Sequence, residues 1–580
     1  MFKDYTMDQL VLPIDLEVSL QDNDIAFHIH HLVESIPDEA FQPFMKNNGC
    51  PAYHPRMMLK IILCGYTQSA FSGRKIEALL HDSLRMMWLA QYQKPSYRTI
   101  NRFRVNPHVQ ELLRQCFVQF RSQLVEEKLI QEEAIFIDGT KIEANANKFS
   151  FVWRRSVERY QSSLIEKSNE LYEDLLRKEI IPEIERESSE ELSTEELEAM
   201  AGKVNEVIAD YTNQIDTSED VEKRKRLRNQ RKYPKQVYKK LQDMISRKKK
   251  YEIHTQRFKQ RNSYSKTDHD ATFMRMKDDY MRNGQLKAGY NVQVATEGQY
   301  ALAYDIFPNP TDTRTLIPFL ETITNDFFEL PSYVVADAGY GSEQNYNEVL
   351  AKYNRVPLIT YGSYVKEQKR SFKRDLFNKA NWKYDEDGDY YTCPNGQKLY
   401  FSFLSKRQDS YGFRRTFKVY ECESCDGCPL RSSCTKTKEG NNRKIYKNEK
   451  WEQQKEYVKE LLSETKINSI YKRRKVDVEP FFGFLKANLS FNRFSVRTEP
   501  KVRQELGFAL MAVNLRKFTA RTLKYRCPLK RHLNFVSFKC LFFDSEAILS
   551  QPLLNVLCIP CTLSRLPHIN VTLVASSIQA

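Results

Sequence analysis

Two aspartates stand where an apolar run meets a glycine turn: Asp138 in AIFIDGT (134–140) and Asp337 in SYVVADAGYGS (332–342). A strand that ends this way offers its last side chain to a cleft. Two such carboxylates, joined by a third from a following helix, form a set able to hold two divalent cations about 4 Å apart. Mg²⁺ or Mn²⁺ suits them, because hard cations take oxygen ligands and keep several waters. On a phosphodiester, one ion would sharpen a water or 3′-hydroxyl and the other would steady the leaving oxygen. Glu479, in YKRRKVDVEPFFGFLK, is the foremost third acid, set among Lys472, Arg473, Arg474, Lys475 and Lys486. An ordinary ion pair with those bases fits the spacing equally well. Asp268 and Asp270 (TDHDATF), Asp312 and Asp477 bring the same chemistry, and spacing alone does not separate them. Other chemistries fare worse. There is no GxxxxGK[ST] loop, so no nucleotide cofactor is expected. There is no GxSxG either, and the ten His are scattered.

A second constellation is sulfur. Cys422, Cys425, Cys428 and Cys434 crowd into YECESCDGCPLRSSC, with Cys393 upstream in TCPNG. Two-residue spacings let successive thiolates turn onto one ion, so the cluster predicts a structural Zn²⁺ with Cys393 as an alternate ligand. Redox-active or unligated thiols are the competing reading. Cys50, Cys64 and Cys116 are isolated and predict buried thiols. Cys558-x2-Cys561 is a lone pair and is read as chance.

The elements that must position these groups follow from periodicity. Residues 1–125 are helical, with apolar spacing in MMLKIILCGYTQ and IEALLHDSLRMMWLA. A further helix starts after Pro95-Ser96, with Arg98, Arg102 and Arg104 expected on its surface. A helix-turn-helix-like module and a plain bundle fit equally. The Asp138 strand comes next, then a polar helical hairpin over 155–262. AGYNVQVAT (288–296) and YALAYDIF (300–307) predict a β-hairpin. Helical spacing over 313–328, the Asp337 strand, another helix and VPLITY (356–361) complete a mixed α/β sheet within 130–365. A Cys-rich insertion spans 366–455, two helices with apolar stripes and basic flanks span 456–526, and 527–580 is an atypical tail.

Charge is unevenly placed. The 580 residues carry 90 Lys+Arg against 75 Asp+Glu, a formal +15, which points to a polyanionic partner. From Lys223 to Arg261 there are 17 bases and two acids; from Glu166 to Glu198 there are 13 acids and four bases. Two readings stay open: halves that neutralise each other, or a basic strip laid along phosphates. A second basic region, from Lys472 to Arg503, interleaves with Phe481, Phe482, Phe484, Phe491 and Phe494, most of them core-facing by helical spacing. With 41% hydrophobic residues, 12% aromatics, 18 Gly and 22 Pro, disorder and collagen-like character are excluded. No apolar run approaches a membrane span and no signal peptide precedes the chain, so a soluble cytoplasmic protein is expected.

These blocks resemble the DDE transposases of bacterial insertion sequences, most closely the insertion sequence eleven-eighty-two group. The resemblance runs in order through HPRMMLKIILCGYTQSAFSGRKIEALLHDSLRMMWL, FIDGTKIEANANKFSFVWRR, TDHDATFM, LKAGYNVQVAT, ADAGYGS and RRKVDVEPFFGFLKANLSFNRF, covering about residues 1–525. It implies an RNase H-like core interrupted by a helical hairpin and by a Cys-rich, zinc-ribbon-like insertion, behind an N-terminal all-helical domain. It implies Asp138, Asp337 and Glu479 as the metal-binding triad. The wider superfamily places Tyr, two residues, Arg, three residues, Glu, six residues, Lys around its glutamate. Here Tyr471 and Arg474 keep the first spacing and Glu479 and Lys486 the last; the middle spacing is one residue too long, with Lys475 where Arg is expected. DNA contacts are thus expected from Tyr471, Arg474, Lys475, Lys486, Arg493 and Arg497. The implied activity is Mg²⁺-dependent cleavage and strand transfer on double-stranded DNA, at the element's terminal repeats and a target, by a homo-oligomer. A decayed DNA-binding copy and a metal-dependent nuclease without strand transfer are the alternatives.

Overall fold

The computed structural model describes residues 20–21, 23–45, 51–183, 190–276 and 285–525. Cys50, Cys558, Cys561 and the tail over 527–580 lie outside them. Among the described residues six α-helices come first: α1 (Ile25–Glu34), α2 (Pro55–Thr67), α3 (Gly73–Asp82), α4 (Leu84–Ala90), α5 (Tyr97–Arg104) and α6 (Val109–Glu126). Their starts follow capping chemistry. Asp24 accepts from the Ala26 amide, Ser72 from Lys75 and Ser96 from Thr99, each taking an amide that the first turn leaves without a partner. Cys64 and Cys116 are buried, and burial pushes both thiols up to about 12. No helix among the described residues is long and apolar enough to cross a membrane.

One surface expectation fails. Arg98 and Arg102 are exposed, but Arg104 is only 6% exposed. Its guanidinium donates to the Tyr66 hydroxyl (3.2 Å), the Phe71 carbonyl and Ser495 Oγ (3.1 Å). It also lies 3.7 Å from Glu505, itself buried. A buried guanidinium is tolerated because its donors and its charge are both met.

The mixed sheet is built on β1 (Ala134–Glu143). β2 (Phe151–Trp153) and β3 (Ser263–Ser265) pair at the root of the polar insertion, which holds α7 (Arg154–Arg177), α8 (Thr194–Thr217) and α9 (Val221–Phe258). These are three helices where a two-helix hairpin is expected. α7 ends at Arg177 as Glu179 turns to φ 54°, and a capping box between Ser193 and Glu196 starts α8 afresh. Beyond the insertion come β4 (Thr272–Arg275), β5 (Leu286–Glu297), β6 (Tyr300–Phe307), α10 (Leu316–Thr322), β7 (Tyr333–Ala336), α11 (Glu343–Asn347) and β8 (Val356–Ile359). The strand order is β4–β5–β1–β7–β8, with β6 also on β5. β5 runs antiparallel to β1, whereas β7 and β8 run parallel to it. The sequence of strand, hairpin, helix, strand, helix, strand is therefore as expected.

The Cys-rich insertion opens with short turns α12 (Tyr364–Glu367) and α13 (Arg370–Lys373). It folds mainly as a five-stranded antiparallel sheet of β9 (Lys383–Asp385), β10 (Tyr390–Thr392), β11 (Lys398–Gln408), β12 (Arg414–Cys422) and β13 (Lys444–Lys447), with α14 (Arg431–Cys434). The described residues close with α15 (Glu449–Ser463), α16 (Thr465–Gly483) and α17 (Glu499–Tyr525).

The faces of the sheet have different covers. Ile135, Ile137, Val334 and Ala336 pack with Phe319 and Leu320 of α10 and Val458 and Leu462 of α15. On the other face, Ala134, Phe136, Val335 and Leu358 pack with Ile467, Ile470 and Val478 of α16. Helices α1–α6 share one continuous core with β5, β6 and α17. There Phe117 and Phe120 meet Tyr304 and Tyr300, and the buried Asn514 side chain bonds both the amide and the carbonyl of Ala301 (2.9 and 2.8 Å).

Candidate active site

Register brings the two strand-ending aspartates together. β1 and β7 pair in parallel up to Ile137 opposite Ala336, so the next residues along both chains are Asp138 and Asp337. Neighbouring strands lie about 4.8 Å apart and side chains alternate between faces. Asp138 thus follows Phe136, and Asp337 follows Val335, on the face that α16 covers. Glu479 sits on α16 one residue beyond the buried Val478. All three carboxylates line one cleft of about 550 Å³, together with Thr140, Arg474, Lys486 and Asn492.

The seating of α16 has a specific cause. Pro480 has no amide proton, so the carbonyl of Val476 is left without its helical donor. The Gln299 side chain takes it at 2.8 Å, while Asp477 accepts from the Gln299 amide at 3.0 Å. Gln299 adopts φ 61° in the β5–β6 turn, and this turn therefore fixes the helix that carries Glu479. Burial holds the Asp477 carboxyl above its ordinary range.

The other competing acids are also committed. Asp268 is buried, accepts from the Tyr290 hydroxyl (2.9 Å) and the Thr498 amide (3.2 Å), and is shifted upward by burial. Asp270 accepts from the Glu499 amide at 3.0 Å. Asp312 is different. It lies beside the pair, accepting from Asn291 (2.8 Å) and Gln293 (3.2 Å). A Cβ on Gly139 would stand 3.0 Å from its Oδ1. Tyr340 donates to Gln293 in the same network. Burial, then the carboxylates of Asp312, Asp138 and Asp337, raise this phenol well above its usual range. The ADAGYG block holds Tyr340 in plain view, but only the β5–β7 arrangement shows that it lies under three carboxylates.

The expected DNA-contacting residues divide. Arg474 and Lys486 are on the cleft wall, and the exposed Lys475 is not among the lining residues. Tyr471 is half-buried with its hydroxyl 3.0 Å from Thr360 Oγ1, away from the cleft lining. Arg493 donates to the Ala146 carbonyl (3.2 Å) and Arg497 to that of Asn145 (2.9 Å), so both hold the chain that follows β1. Phe481, Phe491 and Phe494 are buried, and Phe482 and Phe484 pack against the same core.

The five clustered thiols also meet. Cys393, Cys422, Cys425, Cys428 and Cys434 surround a water-sized cavity of about 20 Å³. Burial, then the neighbouring Cys425 and Cys393, push the Cys422 thiol up to about 12. Arg443 donates to Cys434 Sγ (2.7 Å) through its guanidinium and to Cys425 Sγ (3.3 Å) through its amide. Among the described residues, no three His, Cys, Asp or Glu side chains already converge into a ready ion-holding group. By donor type, the carboxylate cleft suits a hard divalent cation and the thiol cavity suits Zn²⁺. Each ion would relieve the repulsion or desolvation of the anions around it.

Comparison with known proteins supplies independent information. A transposase DDE domain family matches residues 392–519, which include Glu479, and a transposase domain family matches residues 14–106, which include α1–α5. Asp138 and Asp337 lie between the two matches. A curated relative, the type II restriction enzyme CeqI of Rhodococcus hoagii, is 38% identical over 113 residues, 18% of this chain and 37% of that protein. The chain thus spans about 37% of the length of that relative. No solved structure matches.

Proposed function

Because this chain belongs to the DDE transposases of bacterial insertion sequences, we propose that it cuts DNA at the terminal repeats of its own element and joins the freed ends to a target duplex. One observation carries the reading: parallel register sets Asp138 beside Asp337 on the sheet face that meets Glu479 across a cleft walled by Arg474 and Lys486. The strand order and the central β1 support an RNase H-like core. Asp138, Asp337 and Glu479 would hold the divalent ions, which supply charge neutralisation and an activated water or 3′-hydroxyl. The protein's own part is positional. Arg474 and Lys486 hold the phosphates on either side of the scissile bond, Thr140 offers a hydroxyl, and the Gln299–Asp477 latch keeps α16 at a fixed height above the sheet. DNA-bound oligomerisation in the cytoplasm belongs to the same reading. The insertion takes a structural Zn²⁺ on four of its five thiols, and that ion has no catalytic part.

Asp138→Asn tests the triad. The variant keeps duplex binding and loses several kcal/mol of transition-state stabilisation, about a thousandfold in nicking rate. Nicking at the wild-type rate removes Asp138 from the reaction. The likeness to a protein named as a restriction enzyme favours one second reading, a metal-dependent nuclease that cuts without joining. A labelled target duplex in the same reaction separates the two: joined product supports transposition, and cutting alone supports the nuclease.

A further inference from the structure

The polar insertion carries a dense run of bases, 17 Lys and Arg between Lys223 and Arg261. α9 is 38 residues long, about 57 Å at 1.5 Å per residue. Its inner stripe, Leu227, Pro234, Val237, Leu241 and Ile245, is buried, with the last three in a core shared with α7 and α8. Opposite that stripe, Lys225, Arg228, Lys232, Lys235 and Lys239 recur at steps of three and four and are all exposed. This spacing aligns them on one helix face. If α9's charge served to neutralise the acidic helices, these bases would be paired. The α9 ion pairs recorded among the described residues instead involve Arg247 with Asp243, Lys248 with Glu191 and Lys249 with Glu198. They all lie C-terminal to the five.

The stripe also has the right pitch for a nucleic acid. From Lys225 to Lys239 is 14 positions, about 21 Å of helix, the length of about six phosphates on one DNA strand at 3.4 Å each. The insertion leaves β1 just beyond Asp138. Its root is pinned beside the cleft, where Asn145 bonds the Ser495 carbonyl (2.7 Å), Arg497 bonds Asn145 and Arg493 bonds Ala146. We propose that the outer face of α9 is a backbone-tracking arm, with Lys225, Arg228, Lys232, Lys235 and Lys239 lying along the phosphates of duplex DNA that continues out of the cleft. The contact is electrostatic and carries no base preference. The inference rests on the reading of the chain as a DNA-cutting enzyme.

The test is the salt dependence of full-chain binding to a linear duplex of random sequence. Each phosphate contact adds about 0.9 to the slope of log affinity against log salt. Replacing all five bases by Gln makes the slope shallower by about 4.5, and replacing Lys232 and Lys235 alone makes it shallower by about 2. Replacing the four Lys by Arg leaves it unchanged. Because the five are exposed, circular dichroism and Tm stay at wild-type values. An unchanged slope in both Gln variants makes the stripe a solvated face and overturns the proposal. Mg²⁺-dependent nicking by the wild-type chain is scored separately. Nicking without a slope change sinks the arm alone, a slope change without nicking sinks the proposed reaction alone, and no duplex binding by the wild type sinks both.

Discussion

At the residue scale, the glycines after each aspartate are set by crowding. A Cβ on Gly139 would stand 2.3 Å from Gln293 Nε2, a side chain that can move. On Gly341 it would stand 2.3 Å from the Thr360 carbonyl and 2.9 Å from Tyr361 Cα, backbone that cannot move without shifting the end of β8. Gly341→Ala is therefore expected to destabilise by about 1–3 kcal/mol, the usual range for overpacking, and to slow nicking because the turn after Asp337 is displaced. Thermal unfolding and a nicking assay check this, and wild-type values in both would show that the turn has slack. Asp138 and Asp337 were legible because each ends an apolar run at a glycine. The partners of Asp268, Asp270 and Asp477 were not, since each is satisfied by an amide or hydroxyl from a distant segment. Arg104 was misplaced for the same reason: its acceptors Tyr66, Phe71 and Ser495 are 38, 33 and 391 positions away.

At the element scale, two predictions concern how the helices and the insertion hold their shape. His30 on α1 lies 2.9 Å from Lys60 Nζ of α2, and Lys60 in turn pairs with Glu34. Burial and then Lys60 lower the imidazole to about 4, so between about 4 and 6.5 the unfolded chain binds a proton that the folded chain does not. Stability contributed here is present above pH 6.5 and lost as the pH falls towards 4. His30→Gln is expected to flatten that part of the Tm-against-pH curve relative to wild type; parallel curves would contradict it. In the Cys-rich sheet, the full chain is expected to carry about one Zn²⁺. Cys422→Ser is expected to lose that zinc and melt at lower temperature without changing nicking directly, as read by zinc content and Tm. A zinc-free protein of unchanged Tm would identify the thiols as unligated. The Cys spacing announced this cluster, but the five strands around it were not legible, because Tyr, Phe, Lys and Arg alternate there without a buried apolar face of useful length.

At the scale of the whole molecule, the hydrophobic periodicity gave the order of elements in the sheet but not the way the first helices attach. Residues 1–125 read as a helical domain of their own, a helix-turn-helix-like module or a plain bundle, because their helices carry apolar stripes. In the folded chain those stripes meet β5, β6 and α17, and Asn514 on α17 ties the last helix to the edge strand. The insertion between the two aspartates shows the converse. The separation to which it contributes, 199 positions from Asp138 to Asp337, is invisible to the site, since β1 and β7 still pair in register across it. What it adds is surface, including the exposed Lys225, Arg228, Lys232, Lys235 and Lys239 of α9, whereas the α9 ion pairs among the described residues lie C-terminal to these five.

The central claim is that this sheet cuts DNA with Asp138, Asp337 and Glu479. The most direct measurement is to incubate the purified full chain with a duplex carrying its own element end, with Mg²⁺ or with EDTA, and to map the broken strand to the nucleotide. The account predicts a Mg²⁺-dependent break at the element boundary that leaves a 3′-hydroxyl, and no break in EDTA. Tight binding to that end with no cut in Mg²⁺ or Mn²⁺ would contradict it and leave a DNA-binding protein without catalysis.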